Sequence, residues 1–169
     1  MEIFGIHKCL GLCKMSNPFL CSPKQLGQHW RSVRAQLTAE KTDLEHLNIV
    51  TDFWRHAPIS APFLDWDHPN TWPDPWELMS EMSFDPSAIA LGMEYTLLLA
   101  EDQRWNSNRL ELDLSCFVDG SQQLIVLSVD NTYFLNIEYG KVTMAINAAK
   151  ELVIQQRYHY INKTHKFKD

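Results

Sequence analysis

The side chains best suited to chemistry lie in three places along these 169 residues. Asp65-Trp66-Asp67-His68 sets carboxylates and an imidazole within four positions. With Glu77 and Asp85 it makes a donor set for a hard cation, which wants several oxygen ligands. Adjacent residues rarely aim at one centre without a tight turn, so these aspartates read as turn formers in an acidic loop, and no metal is expected. Cys9, Cys13 and Cys21 gather near His7, but their spacing does not match the paired knuckles of structural zinc sites. Leu10, Leu12, Phe19 and Leu20 surround them, so reduced, buried thiols are expected. Ser87 and Cys116 are the remaining nucleophile candidates. A serine needs an adjacent base, and the nearest histidine, His68, stands in the preceding loop. Alternation along its strand puts Cys116 with Leu112 and Leu114 on the buried face.

The elements that position these groups are legible from caps and periods. Ser22-Pro23-x-Gln25 is a helix start with a capping box and a proline at the first helical position. Leu26, Trp30, Val33 and Leu37 follow at helical spacing. Thr42-x-x-Glu45 opens a second stripe of Leu44, Leu47, Val50 and Trp54. Two packed helices from Pro23 to His56 result, with a turn at Thr38–Lys41.

Ala57-Pro58 stops them, and the chain to Pro86 is dense in proline, aspartate and tryptophan. It reads as a stiffened loop with a short helical turn at Pro75–Met82. Asp85-Pro86 starts the next helix, whose inward stripe is Ala88, Leu91, Tyr95 and Leu98, widened by Ile89 and Met93. It is apolar on most sides and so should be the buried central helix, with Gly92 marking close approach of a neighbour. Alternation then predicts a strand over Leu110–Val118, a turn at Asp119-Gly120 and a central strand at Leu124–Val129. Turns at Asp130-Asn131 and Tyr139-Gly140-Lys141 separate strands at Thr132–Glu138 and Val142–Ile146. Ala145–Tyr158 reads as a closing helix. The class is α+β, one domain over 1–169: an N-terminal segment 1–21, a helical part 22–56, a Pro/Trp loop 57–85, helix plus antiparallel sheet 86–158, and a basic tail 159–169.

Composition excludes some functions. A net charge of −6 and a pI near 5.6 argue against general nucleic-acid binding. The basic tail, Arg157 to Lys168, interleaves cations with aromatics and could touch DNA or an acidic surface, but reads first as solvated. No apolar run approaches the ~20 residues that span a bilayer, and the first residues do not form a signal peptide. A cytosolic origin with reduced thiols is expected.

The run Trp72-Pro73-Asp74-Pro75-Trp76-Glu77-Leu78, followed by a capped apolar helix and a hairpin, resembles the transglutaminase-like branch of the papain-like hydrolases. The resemblance implies a cysteine opening the helix, a histidine opening the second strand and a third polar residue beyond it. The cysteine position falls within Phe84–Ser87, the histidine position at Gln123 or Leu124, and the third near Asn136. No cysteine or histidine stands at the first two. The same stretch also resembles small proteins of large tailed bacteriophages.

From these features the expectation is a non-enzymatic protein with no catalytic residue, cofactor or metal. It would be a virion component of neck or tail, in the host cytoplasm until assembled and acting through other virion or scaffold proteins in an oligomer. Phe63, Trp66, Trp72 and Trp76 are the candidate partner-binding anchors. The alternatives are a thiol or serine hydrolase with unrecognised catalytic residues, and a ligand-binding module built on the tryptophan loop.

Overall fold

A computed structural model describes residues 17–61 and 64–169. Five helices lie against one six-stranded antiparallel sheet, which is the α+β class expected.

Helix α1 (Pro23–Ala35) and helix α2 (Asp43–Trp54) both begin with complete capping boxes, Ser22 with Gln25 and Thr42 with Glu45. Each box satisfies amides that the first turn leaves without partners. Leu26, Trp30, Leu47, Val50 and Trp54 are fully buried as their spacing predicts, whereas Leu44 faces outward. Helix α3 (Pro75–Glu81) is capped by Asp74 and Glu77 in the same way.

Helix α4 (Pro86–Leu98) is buried from Ser87 to Leu97 and forms the centre of the molecule. Its glycine has a physical cause: a Cβ on Gly92 would lie 2.2 Å from the Trp54 ring. One turn later Thr96 accepts hydrogen bonds from the indoles of Trp30 and Trp54, each at 2.9 Å, and donates to the Gly92 carbonyl at 2.6 Å. A single hydroxyl thus joins α1, α2 and α4 and satisfies two buried indole donors.

The sheet runs in the order β4 (Val142–Met144), β3 (Tyr133–Leu135), β2 (Gln123–Val129), β1 (Leu110–Phe117), β5 (Leu152–Ile161), β6 (Thr164–Phe167). Leu112 pairs with Leu127 and Leu114 with Ile125, so these residues share the face that packs on α4. On the opposite face Leu124, Val126, Phe134 and Leu152 make a smaller core under Ala148 of helix α5 (Ala145–Glu151).

Two expectations fail at the C-terminal end. The closing helix covers only Ala145–Glu151, and Leu152–Ile161 is strand β5, paired with β1 through a register shift at Leu114/Ser115. Tyr158 and Tyr160 are better served by a pleated surface than by a helix, and the sheet needs a partner for β1. The basic tail is not frayed. Asn162 and Lys163, both at positive φ (52° and 64°), make the two-residue hairpin turn that lays β6 on β5. That hairpin buries His165, whose Nε2 lies 2.6 Å from Glu94 of the central helix. Among the described residues no helix is long and apolar enough to cross a membrane.

Candidate active-site cleft

The cleft is built from three elements. The capped start of α4 supplies Asp85, Pro86 and Ser87; the beginning of β2 supplies Gln123, with Leu114 of β1 beside it; and the 64–67 segment of the Pro/Trp loop makes the remaining wall. Its volume is about 580 Å³.

Each wall is held in place. Asp85 is buried and accepts from Ala88 N at 2.6 Å and Leu64 N at 3.2 Å, so one carboxylate caps α4 and anchors the loop. Burial pushes its carboxyl above the ordinary aspartate range, and those two amides oppose the shift. The loop is pinned from the sheet side as well. Trp72 donates to the Asp65 carbonyl at 2.7 Å, Tyr158 donates to the Trp66 carbonyl at 3.0 Å, and the Trp72 and Tyr158 rings meet at a tilt with centroids 4.9 Å apart. The C-terminal hairpin therefore positions one wall of the cleft. Across the floor, Asn136 donates to the carbonyls of Pro86 at 2.6 Å and Ile125 at 2.9 Å, tying the start of α4 to β2.

Ser87 lies in the first turn of α4, 2 % exposed, and its Oγ accepts from Trp66 Nε1 at 3.2 Å. The indole covers the hydroxyl. No histidine lines the cleft among the described residues, but His68 follows the loop wall directly and is exposed. Its Nδ1 lies 2.9 Å from Asp65 Oδ2, and this hydrogen bond is the main reason the Asp65 carboxyl sits below its ordinary range. A carboxylate on Nδ1 fixes the ring tautomer and leaves Nε2 outward, the arrangement a general base requires. Gln123 donates to the Gln155 side chain at 2.6 Å and keeps a second amide hydrogen for another acceptor.

The tryptophan anchors separate into different roles. Trp66 is half-buried in the cleft wall, Trp72 is buried as a loop pin, and Trp76 is 60 % exposed on α3. Burial removes Trp72 from the set that a partner can touch. Phe63, Cys9, Cys13 and His7 lie outside the described residues. Cys21 and Cys116 are half-buried, and Cys116 sits opposite Gln123 at the edge of the cleft. Sequence reasoning placed the α4 start, Gln123 and Asn136 correctly as neighbours. It missed the Asp65–His68 pair, although an aspartate three residues before a histidine in a turn is a visible signal. It also missed the buried Glu94–His165 pair, because His165 lay in an expected tail.

Solved structures of like shape bear on the fold. Legionella pneumophila LapG is 18% identical, with a TM-score of 0.63 over 80% of this chain and 73% of that one. Its calcium-bound form is 17% identical, with a TM-score of 0.62, covering 87% of this chain and 88% of that one. An EGTA-treated form gives 18% identity and a TM-score of 0.64 over 87% and 78%. LapG is a bacterial transglutaminase-like cysteine protease. The fold is similar to that of LapG. No protein-family model matches the sequence, and no curated protein matches it by sequence.

These neighbours correct the expected function. The expectation of a non-enzymatic protein is overturned by the solved structures that share the fold, which are those of a protease. No comparison supports a virion component of neck or tail, or the likeness to phage proteins. Among the described residues no three His, Cys, Asp or Glu side chains converge, and the Asp65 and Asp85 carboxylates are already engaged by imidazole and amide hydrogens.

Proposed function

We propose that this chain is a hydrolase or acyl-transferase of the transglutaminase-like class. Its substrate carries an amide or ester carbonyl and lies in the cleft at the start of α4. Ser87 is the nucleophile, and the His68–Asp65 pair is its base. The observation that carries the reading is that the Ser87 hydroxyl in the first turn of α4 lines one cleft with Asp65, the carboxylate that holds the exposed His68 imidazole just outside it.

The chemistry follows from those groups. Ser87 Oγ attacks the carbonyl carbon, and its proton passes to His68 Nε2 while Asp65 stabilises the imidazolium. The developing oxyanion meets the Ser87 amide and the second amide hydrogen of Gln123. The Ala88 amide is not available, because Asp85 holds it. Collapse expels the leaving group, which takes the proton from His68, and water or an acceptor amine then discharges the acyl-enzyme. Trp66 occupies the Ser87 hydroxyl in the resting state, so the loop must withdraw its indole and bring His68 inward when substrate enters.

Hydrolysis of p-nitrophenyl esters tests this directly. The full chain should turn over, Ser87→Ala and His68→Ala should each remove the activity, and Cys116→Ala should leave it intact. Activity that survives Ser87→Ala, or that is lost with Cys116→Ala, contradicts the assignment.

A further inference from the structure

Helix α1 carries Lys24, Arg31 and Arg34 and no acidic residue, in a chain whose net charge is −6. Among the described residues no carboxylate pairs with any of the three. Lys24 and Arg31 are exposed on one face of the helix.

Arg34 is the anomaly. Its guanidinium lies 4.3 Å over the Trp30 ring and 5.8 Å from Trp76, so it is placed between a buried indole and an exposed one. Its Nε is buried with no acceptor, and one of its terminal nitrogens donates a long hydrogen bond, 3.4 Å, to the Leu99 carbonyl. Burial lowers its basicity, and the charged neighbour acting on it is Arg31, of the same sign. Arg34 is half-buried, and its charge has no carboxylate partner among the described residues. Beside it Trp76 meets Trp30 edge-on at 5.7 Å and leaves 60 % of its surface to solvent. Arginine and tryptophan together are the residues most enriched at the centres of protein interfaces.

We propose that the α1–α3 face formed by Arg31, Arg34 and Trp76 docks an acidic segment of a partner protein. A partner carboxylate reaches the Arg34 guanidinium, Arg31 adds a second cation, and an apolar side chain next to the carboxylate covers Trp76. A polyanion such as DNA is disfavoured, because it would meet the repulsion of the whole acidic chain as well as this one patch. The face shares no residue with the α4 cleft, so this inference stands independently of the hydrolase reading.

Anisotropy of a labelled peptide of four glutamates around one leucine, titrated with the full chain, tests it. Single-stranded DNA and anionic phospholipid vesicles serve as competing probes. Saturable peptide binding that weakens with salt is expected. Trp76→Ala and Arg31→Glu, both at exposed positions and checked by circular dichroism for an unchanged fold, should each weaken it about tenfold. No binding by the unaltered chain, equal binding by both variants, or tighter binding of DNA or vesicles would overturn the proposal.

Discussion

Asn136 donates to the Pro86 carbonyl at 2.6 Å from a left-handed backbone, φ 75°, and so clasps the end of β3 to the start of the central helix. The same amide reaches the Ile125 carbonyl at 2.9 Å. In the transglutaminase-like pattern this position holds the third polar residue of a triad. Here its side chain spans the two elements that carry Ser87 and Gln123, and it positions them by holding carbonyls rather than an imidazole.

Removing that clasp leaves the buried Ile125 carbonyl short of a donor and takes one of two donors from the Pro86 carbonyl. Asn136→Ala should lower stability by ~1–3 kcal/mol, with a further cost because a non-glycine residue must keep positive φ. Asn136→Asp should cost more, since a carboxylate would face two carbonyl oxygens. Urea unfolding midpoints check the order; an alanine variant as stable as the parent would show that the clasp is not needed.

Two helical glycines should respond in opposite ways. A Cβ on Gly92 would lie 2.2 Å from the Trp54 ring, whereas one on Gly27 meets nothing within 4 Å. Gly92→Ala should therefore destabilise by ~1–3 kcal/mol through overpacking. Gly27→Ala should be neutral or stabilise by up to ~1 kcal/mol from helix propensity. Thermal unfolding of the pair decides it, and a stable Gly92→Ala protein would contradict the packing of Trp54 on α4.

Asp113 predicts a pH dependence with an unusual sign. It is fully buried on β1, neither carboxylate oxygen has a hydrogen-bond partner, and Arg157 Nε stands 3.6 Å away. Burial pushes its carboxyl up to about 7, although Arg157 opposes the shift. Between about pH 4 and pH 7 the folded chain holds a proton that the unfolded chain, with an aspartate near 3.9, has released. The native state binds more protons, so stability should fall as pH rises through that window and level off above it. Asp113→Asn should flatten this slope and raise the melting temperature at pH 8. An unchanged slope in the variant would assign the dependence to another group.

Much of the fold was legible because its signals are local. Ser22, Thr42 and Asp85 announce helix starts through caps that need only neighbours in sequence, and the alternation around Leu112 and Leu127 announces strands. The closing hairpin was not legible. Ala145–Tyr158 begins with good helix formers, and nothing local reveals that β1 lacks a neighbour or that Asn162-Lys163 adopts positive φ. The candidate site was legible as an order of positions, with Ser87, Gln123 and Asn136 brought together as the pattern implied. The course of the 64–67 wall was not, because it depends on a loop pinned by Trp72 and by Tyr158 from the far end of the chain.

The central claim is that Ser87 is a nucleophile served by His68. Incubation of the full chain with a fluorophosphonate, followed by intact mass and peptide mapping, tests it most directly. One adduct is expected, located on Ser87 and absent from both Ser87→Ala and His68→Ala. No adduct on the folded chain, or labelling on Ser87 that His68→Ala leaves unchanged, would contradict it.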